Sequence, residues 1–409
     1  MIATLSADTG LAPPREPLGR LFLRFLKFGS LAWGGPVAQI AMIRQELVVE
    51  DKWVTPQHFN RVLALYQVLP GPEAHELCVY FGMLARGRIG GVLAGLGFML
   101  PGFVLMFLLS WLYLRYGLLT SGTFAVVFGI VQAAVAALIV RAIHRIGGHV
   151  LADRWLWGLA TLAGAAQLAN VHFAFTLVAA GVVYVLARHG RTTFALALSA
   201  LCAGGIAYWA LTNGLSLAPA ALATAPAAEL AQRSQWELFL AGLKAGMLTF
   251  GGAYTVIPFL REDAVGGGWM TNAQFLDGLA LSSLLPAPLI IFATFVGFAG
   301  GGPIGALVLT AGIFLPAFAF SLVAHEPLER LVSRPSIREF LEGVTAGVVG
   351  LIGGTAVILL VASIRGIAHV AVFAVALACL FRFKSKLVIP AVVAGAALAG
   401  WAIATIGTP

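Results

Sequence analysis

Charge is scarce in this sequence. Only 10% of its 409 residues are Asp, Glu, Lys or Arg, whereas 60% are hydrophobic, and a soluble domain usually has about 25% charged residues. This excludes an ordinary soluble protein and indicates a polytopic membrane protein that lies in a lipid bilayer. The net charge is +8, but the basic residues form short clusters between apolar runs. Such clusters are typical of membrane topology signals, so nucleic acid is not a predicted partner.

Cysteines are few, and the common cofactor motifs are missing. Cys78, Cys202 and Cys379 are each isolated in an apolar segment, which predicts inert thiols and neither a disulfide framework nor a metal site. The sequence has no G-x-x-x-x-G-K-[ST] loop and no H-E-x-x-H motif. It therefore predicts no cofactor, no metal and no ATP hydrolysis by the chain itself.

What the chain does contain is a long stretch that occurs twice, once in each half. Lys27, Gly29, Gly34, Gly35 and Arg44 recur at one constant offset as Lys244, Gly246, Gly251, Gly252 and Arg261. Trp53, Phe59, Pro70 and Pro72 recur at a slightly shorter offset as Trp269, Phe275, Pro286 and Pro288, and Pro101 recurs at a shorter one again as Pro316. Two single-residue deletions explain the changes of spacing, so the sequence indicates an internal duplication.

Thirteen apolar segments approach the length needed to cross a hydrocarbon core of about 30 Å, which takes roughly 17 to 25 helical residues. They lie at about 20–43, 59–84, 89–113, 119–142, 154–170, 171–187, 193–212, 237–260, 274–299, 304–324, 340–362, 366–381 and 387–406. The first segment corresponds to the eighth, and this odd offset predicts an inverted second copy. We expect an all-α polytopic membrane protein of about 13 transmembrane segments, built from two inverted-topology repeats with broken or re-entrant helices.

The basic residues support this topology. With the N-terminus in the cytoplasm, 18 of them face inward and 6 outward, as the positive-inside rule requires. The inward set is Arg15, Arg20, Arg24, Lys27, Arg86, Arg88, Arg141, Arg145, Arg154, Arg188, Arg191, Arg261, Arg330, Arg334, Arg338, Arg382, Lys384 and Lys386. The outward set is Arg44, Lys52, Arg61, Arg115, Arg233 and Arg365. The C-terminus is expected outside a bacterial-type inner membrane.

Four regions are expected along the chain. Residues 1–19 form a cytoplasmic tail, since the N-terminal stretch has no apolar run that would make it a cleavable signal. Residues 20–190 form the first membrane repeat. Residues 191–236 are a linking transmembrane segment and an Ala/Pro-rich loop, and residues 237–409 are the inverted second repeat.

Helix-breaking residues interrupt the first two segments of each copy. The breaks are Gly34-Gly35-Pro36 and Pro70-Gly71-Pro72, repeated as Gly251-Gly252-Ala253 and Pro286-Ala287-Pro288. Proline removes a backbone donor and paired glycines let a helix unwind, which leaves half-helix N-termini whose free N–H groups favour an anion. Matching breaks in inverted halves are typical of a transporter's substrate site. The alternative is that the glycines mark close helix contacts and the prolines plain kinks.

Charged residues flank these breaks. Lys27 and Lys244 lie two helical turns before the glycine pairs, and a lysine in an apolar segment costs about 2.5–3.5 kcal/mol. Both are therefore candidate ligands of the anion, with snorkelling to an interface as the alternative. Arg44 and Arg261 lie near the far ends of their segments and are candidate gate or interface residues.

An acidic cluster follows the first Pro-Gly-Pro break only. Glu73, His75 and Glu76 have apolar residues at the matching positions of the second copy. They are candidates for proton or cation coupling, because a buried carboxyl or imidazole can carry a proton. The alternative is that the acidic residues only cap the dipole of a half-helix.

In these motifs the chain resembles the chromate ion transporter family in its long, two-domain form. The resemblance includes Phe28-Gly29, Trp53-Val54-Thr55, Leu69-Pro70-Gly71-Pro72-Glu73 and Phe98-Met99-Leu100-Pro101, along with the glycine pairs and prolines of the second copy. It implies efflux of chromate, with sulfate as a related or competing ligand. Ala253 and Ala287 depart from the motif, which predicts a second site that binds less tightly or only opens and closes.

Two other function classes stay open at this point. A membrane-embedded enzyme using His75 and Glu76 would need no second copy of its architecture, so the repeat argues against it. An anion channel using the same broken-helix cavity would not show saturable flux. The sequence leaves the choice of oxyanion and a homodimer open.

Overall fold

The protein is entirely helical in the part that the structure, a computed structural model, describes: residues 16–33, 35–116, 122–215, 233–250, 252–383, 385 and 387–406. The first half contains α1 (Leu18–Ser30), α2 (Pro36–Arg44), α3 (Pro56–Val68), α4 (Glu73–Arg115), α5 (Gly122–Val150), α6 (Arg154–Leu168), α7 (Phe173–Arg188) and α8 (Thr192–Asn213). The second contains α9 (Gln235–Met247), α10 (Ile257–Arg261), α11 (Asn272–Ser283), α12 (Phe292–Leu322), α13 (His325–Val332), α14 (Pro335–Ser363), α15 (Ile367–Arg382) and α16 (Val388–Ile406). The all-α class is confirmed.

Short π-helical and 3₁₀ turns extend several of these helices. π-helical turns, Gln45–Glu50 and Glu262–Gly266, follow α2 and α10, and 3₁₀ turns, Ala253–Val256 and Leu289–Ile291, precede α10 and α12. Each predicted apolar segment is thus largely helical in the described residues. Gly34, Gly251, most of the predicted tail and most of the loop between the halves lie outside the described residues.

The two long helices α4 and α12 each reverse direction at a glycine. Gly87 has φ 65° and ψ −159°, and Gly302 has φ 64° and ψ −156°, a backbone region that glycine tolerates best. In α4 the arms on either side of this turn lie against each other, since a methyl group on Gly82 would overlap the carbonyl of Gly90. Gly297 and Gly305 make the same contact in α12. Each long helix is thus an antiparallel hairpin, with turns where the sequence separates 59–84 from 89–113 and 274–299 from 304–324.

The first two segments of the first half also fold back on themselves. The Lys27 ammonium nitrogen lies 3.2 Å from a carboxylate oxygen of Glu46, although a continuous helix would separate these residues by about 28 Å at 1.5 Å per residue. In the next segment, Phe59 of α3 stacks on Phe81 of α4 with ring centroids 6.1 Å apart. The chain therefore reverses at both breaks, and each segment is a hairpin with its break at the tip.

The second half repeats both hairpins. Lys244 pairs with Asp263 at 2.5 Å, and these residues correspond to Lys27 and Glu46 in the first copy. The rings of Phe275 and Phe292 lie 4.9 Å apart across the next break. The predicted segments 20–43, 59–84, 237–260 and 274–299 are thus all hairpins.

Glycines let the first helix of each half approach the outgoing arm of its hairpin closely. A methyl group on Gly29 of α1 would overlap the Phe98 carbonyl of α4, and one on Gly246 of α9 would overlap the Ile313 carbonyl of α12. These contacts are equivalent, since Phe98 and Ile313 have the same offset as the repeated prolines Pro101 and Pro316 that follow them. Gly29 and Gly246 therefore allow two helix backbones to pack in close contact.

The two halves exchange helices reciprocally. Helix α14 packs against α6 and α7, the last two helices of residues 20–190, and α5 packs against α15 and α16, the last two helices of the second half. A buried polar contact also joins them, because the Asp277 carboxylate accepts hydrogen bonds from Tyr113 (2.7 Å) and Gln132 (2.8 Å). Six of the described helices, counting each hairpin once, are long and apolar enough to cross a membrane, and α7 and α15 are shorter apolar helices. The protein is a multi-pass membrane protein.

Candidate functional site

A cavity of about 670 Å³ lies where three of the four hairpin tips meet. Pro36, Glu73 and Gly252 line it, one from each tip. Its other walls come from α5, α14 and the start of α16. The residues that these walls contribute include Leu138, Arg141, Arg145, His149, Leu341, Glu342, Thr345, Val388 and Ile389.

The tips adopt backbone conformations that their glycines make possible. Gly35 has φ 78° and precedes α2, and Gly252 has φ 121° and precedes the 3₁₀ turn of the second half. Pro36 occupies the first position of α2, where its missing N–H costs nothing. The first turn of α2 therefore presents free backbone N–H groups beside the cavity.

The break at residues 70–72 joins the two halves. Gly71, with φ 153°, donates its N–H to the carbonyl of Thr249 at 2.7 Å, two residues before the second-half glycine pair. A methyl group on Gly71 would also overlap the Glu76 carboxylate. The second copy has Ala287 and Phe292 at these two positions. In the first copy the Glu76 carboxylate leaves no room for a side chain at position 71. The second copy has no carboxylate at the matching position, and there the glycine is replaced by alanine.

The fourth tip lies elsewhere. Ala287 packs against Gly102 of α4, so that a methyl group on Gly102 would crowd it, and neither Pro286 nor Pro288 lines the cavity. Of the predicted substrate-binding residues in the described part, Pro36 and Gly252 line the cavity. Gly35 and Pro72 are next to lining residues in the chain, and Pro70 and Gly71 lie between the lining residues Val68 and Glu73. Lys27 and Lys244 do not line it.

Both predicted lysine ligands form ion pairs. Lys27 pairs with Glu46 while its side chain is 58% exposed, and Lys244 pairs with Asp263 while it is 31% exposed. The Lys244 ammonium also lies 5.4 Å from the ring centroid of Phe173. In this conformation a carboxylate already balances each lysine, and the lysine role in anion binding stays a prediction.

The two predicted gate arginines lie at the outer ends of their hairpins. The Arg44 guanidinium lies 6.0 Å from the ring centroid of Phe59. Arg261 donates a hydrogen bond from Nε to the Asn272 side-chain oxygen at 2.9 Å. Each arginine thus connects the first hairpin of its half to the second.

The coupling candidates lie one behind another in the first turn of α4. Glu73 lines the cavity and is 8% exposed, whereas His75 and Glu76 are fully buried behind it. The His75 ring packs between Phe314 and Phe318, with centroid distances of 4.9 and 4.8 Å. Both Glu76 carboxylate oxygens lack a hydrogen-bond partner among the described residues. A buried carboxyl without a partner is costly as an anion, which fits a group that carries a proton.

Three cavity residues were missed as ligands by the sequence interpretation. Arg141 and Arg145 were assigned to the inner membrane face on charge alone, and His149 was not a candidate ligand, yet all three line the cavity. One signal could have found the arginines, namely their spacing of one helical turn directly after the apolar run 133–140, which places them on one helix face within reach of the bilayer.

Comparison with known proteins agrees with this architecture. The family model described as chromate transporter matches residues 19–186 and 236–401. A chromate transport protein of Pseudomonas aeruginosa is 53% identical over 410 residues, covering 97% of this chain and 95% of that protein. A chromate transport protein of Cupriavidus metallidurans is 32% identical over 399 residues, covering 97% and 96%. No solved structure matches this chain.

Proposed function

Because this chain belongs to the chromate transporter family, we propose that it exports chromate from the cytoplasm as a secondary transporter, with sulfate and related oxyanions as competing ligands. The relatives are transport proteins and not enzymes, so the enzyme alternative is set aside. The observation that carries the proposal is the cavity of about 670 Å³ between hairpin tips from both halves. Broken helices that meet across a repeat interface are typical of secondary transporter sites.

The membrane potential can drive this export. Chromate is a dianion, and moving one charge through a potential of about 100 mV is worth about 2.3 kcal/mol. An interior-negative potential of that size therefore favours the exit of chromate by roughly 4.6 kcal/mol. ATP is not required, and coupling to an ion through Glu73, His75 or Glu76 would add to this force.

We further propose that nine helices cross the membrane. The four re-entrant segments enter and leave on one side, which removes four crossings from thirteen and keeps the inverted relation of the halves and the position of both termini. Arg44, Lys52 and Arg61 then move to the inside, and Arg261 moves to the outside. The bias of basic residues rises from 18:6 to 20:4, which is a better fit to the positive-inside rule.

Cysteine labelling separates nine crossings from thirteen. Glu50 and Gly266 are exposed and occupy equivalent places in the two copies, each at the end of its π-helical turn. In a background without the native cysteines, we expect Gly266→Cys to react with an impermeant maleimide added to whole cells and Glu50→Cys to stay unlabelled until the membrane is opened. Thirteen full crossings give the opposite pattern. A cytoplasmic signal from a reporter fused after Pro409 would contradict both arrangements.

The function itself is tested by transport into inside-out membrane vesicles. We expect labelled chromate to accumulate when the vesicle interior is made positive, with saturation by chromate and competition by sulfate, because the cytoplasmic side then faces the medium. Applying a pH gradient separately from the potential tests coupling, and Glu76→Gln should flatten the pH dependence with normal protein levels. Flux that never saturates would favour a channel, and the absence of any oxyanion flux would refute the proposal.

A further inference from the structure

Two arginines dominate the charge of the cavity. Arg141 and Arg145 lie one turn apart on the same face of α5 and both line it. Neither forms an ion pair within 4.0 Å or a side-chain hydrogen bond among the described residues. Two guanidinium groups beside each other, both partly shielded from solvent, repel each other unless an anion compensates them.

The other polar groups of the cavity wall are mostly satisfied elsewhere. Glu342 of α14 accepts a hydrogen bond from Arg338 at 3.0 Å, and the Tyr184 hydroxyl donates to Asp153 at 2.8 Å. Tyr254 lies near both arginines, and His149 is exposed on the next turn of α5.

Glu73 is another carboxylate of the cavity wall. It starts α4 at the tip of the second hairpin, is 8% exposed and lies within electrostatic range of Arg145. Among the described residues it has neither an ion pair within 4.0 Å nor a hydrogen bond of its side chain. Glu73 therefore stays near the guanidinium group without contacting it.

We infer that Arg141 and Arg145 form the binding site for a tetrahedral dianion, and that Glu73 is an internal anion whose influence on Arg145 the substrate must overcome. This inference rests on the proposed function and names the residues that would carry it. Neither lysine of the repeat is needed for charge compensation, because each is already paired with a carboxylate.

The chemistry of the groups suits such a ligand. A guanidinium group offers N–H donors in a fork that matches two oxygens of a tetrahedral oxyanion, so two forks can hold all four oxygens. The pair carries two positive charges, which a dianion balances and a monoanion does not. The free N–H groups at the start of α2 lie on the same cavity and add further donors.

Ionised Glu73 would oppose this binding. It lowers the positive potential at Arg145, so its neutral form should bind the dianion more tightly. Glu73, Arg141, Arg145, His149, Tyr184, Tyr254 and Glu342 are the titratable or charged groups of the cavity wall. The carboxylate of Glu342 already accepts a hydrogen bond from Arg338.

Equilibrium binding of labelled chromate and labelled sulfate to the purified full chain in lipid nanodiscs tests this inference. A charge-assisted hydrogen bond accounts for about one to two orders of magnitude in affinity, so Arg141→Gln and Arg145→Gln should each weaken dianion binding about ten- to a hundredfold. Glu73→Gln should strengthen it about three- to tenfold. Glu237→Gln, which removes an exposed carboxylate of α9 outside the cavity wall, is the control and should bind like the parent.

The outcomes separate this inference from the proposed function. If the parent binds neither oxyanion, the proposed function fails and the inference fails with it. If the parent binds and both arginine variants bind equally well, the transporter stands and the arginine site is overturned. Weaker binding by Glu73→Gln would overturn the competitor role. If a glutamine variant fails to fold, Arg145→Lys is used in its place. We expect Arg145→Lys to fold and to bind sulfate more weakly than the parent. Binding equal to the parent would count against the fork contacts.

Discussion

Replacing Gly246 with leucine is expected to prevent stable folding of the second half. Gly246 of α9 lies so close to α12 that even a methyl group would overlap the backbone carbonyl of Ile313. Because the obstacle is backbone, no side-chain rotation relieves it, and the two helices must separate. Overpacking usually costs about 1–3 kcal/mol and occasionally more, and we expect about 3 kcal/mol or more here.

The repeat supplies a second test, and the lipid face supplies a control. Gly29→Leu should have a similar effect in the first half, where the Phe98 carbonyl takes the place of Ile313. Gly204→Leu lies in α8, where an added methyl group meets no atom within 4 Å, and it should not destabilise the protein. Expression level and melting temperature in detergent are the measurements. A Gly246→Leu protein that melts with the parent would contradict the packing described for α9 and α12.

Removing the ammonium group of Lys244 should have the next largest effect. Lys244→Met leaves Asp263, whose side chain is 19% exposed, without its ion-pair partner. Breaking a buried pair costs about 3–5 kcal/mol, and exposure reduces this, so we expect a loss of roughly 2–3 kcal/mol in stability. The double variant Lys244→Met/Asp263→Leu removes both charges and should recover most of it.

This double variant also decides whether Lys244 binds the substrate. If the lysine only balances Asp263, chromate binding should return together with stability, which is the result we expect. If it is an anion ligand, the double variant should fold yet bind chromate about ten- to a hundredfold more weakly. The equivalent pair, Lys27 and Glu46, is the comparison. Lys27 is 58% exposed, so its loss should cost only about 0–1 kcal/mol.

Local sequence was enough to determine the all-helical class, the duplication and the position of the helix breaks. Gly-Gly and Pro-x-Pro motifs act on the backbone within a few residues, so a single sequence is enough to predict the helix breaks. These breaks lie at residues 34–36, 70–72, 251–253 and 286–288. The same holds for the apolar segments, whose length reflects the thickness of the bilayer.

Only the tertiary structure decided what each break does. A break allows the chain either to continue or to turn back, and a contact with a residue far along the chain makes the choice, as Glu46 does for Lys27. The sequence interpretation named both repeated lysines as candidate ligands, and only the structure shows their carboxylate partners, which lie on the far side of the break. The sequence interpretation used Arg141 and Arg145 only as charges that set the membrane topology. Their place in the cavity depends on hairpin tips from both halves, which only the tertiary structure brings together. Backbone conformation is set locally, whereas charge compensation inside a membrane protein is set by which distant elements pack together.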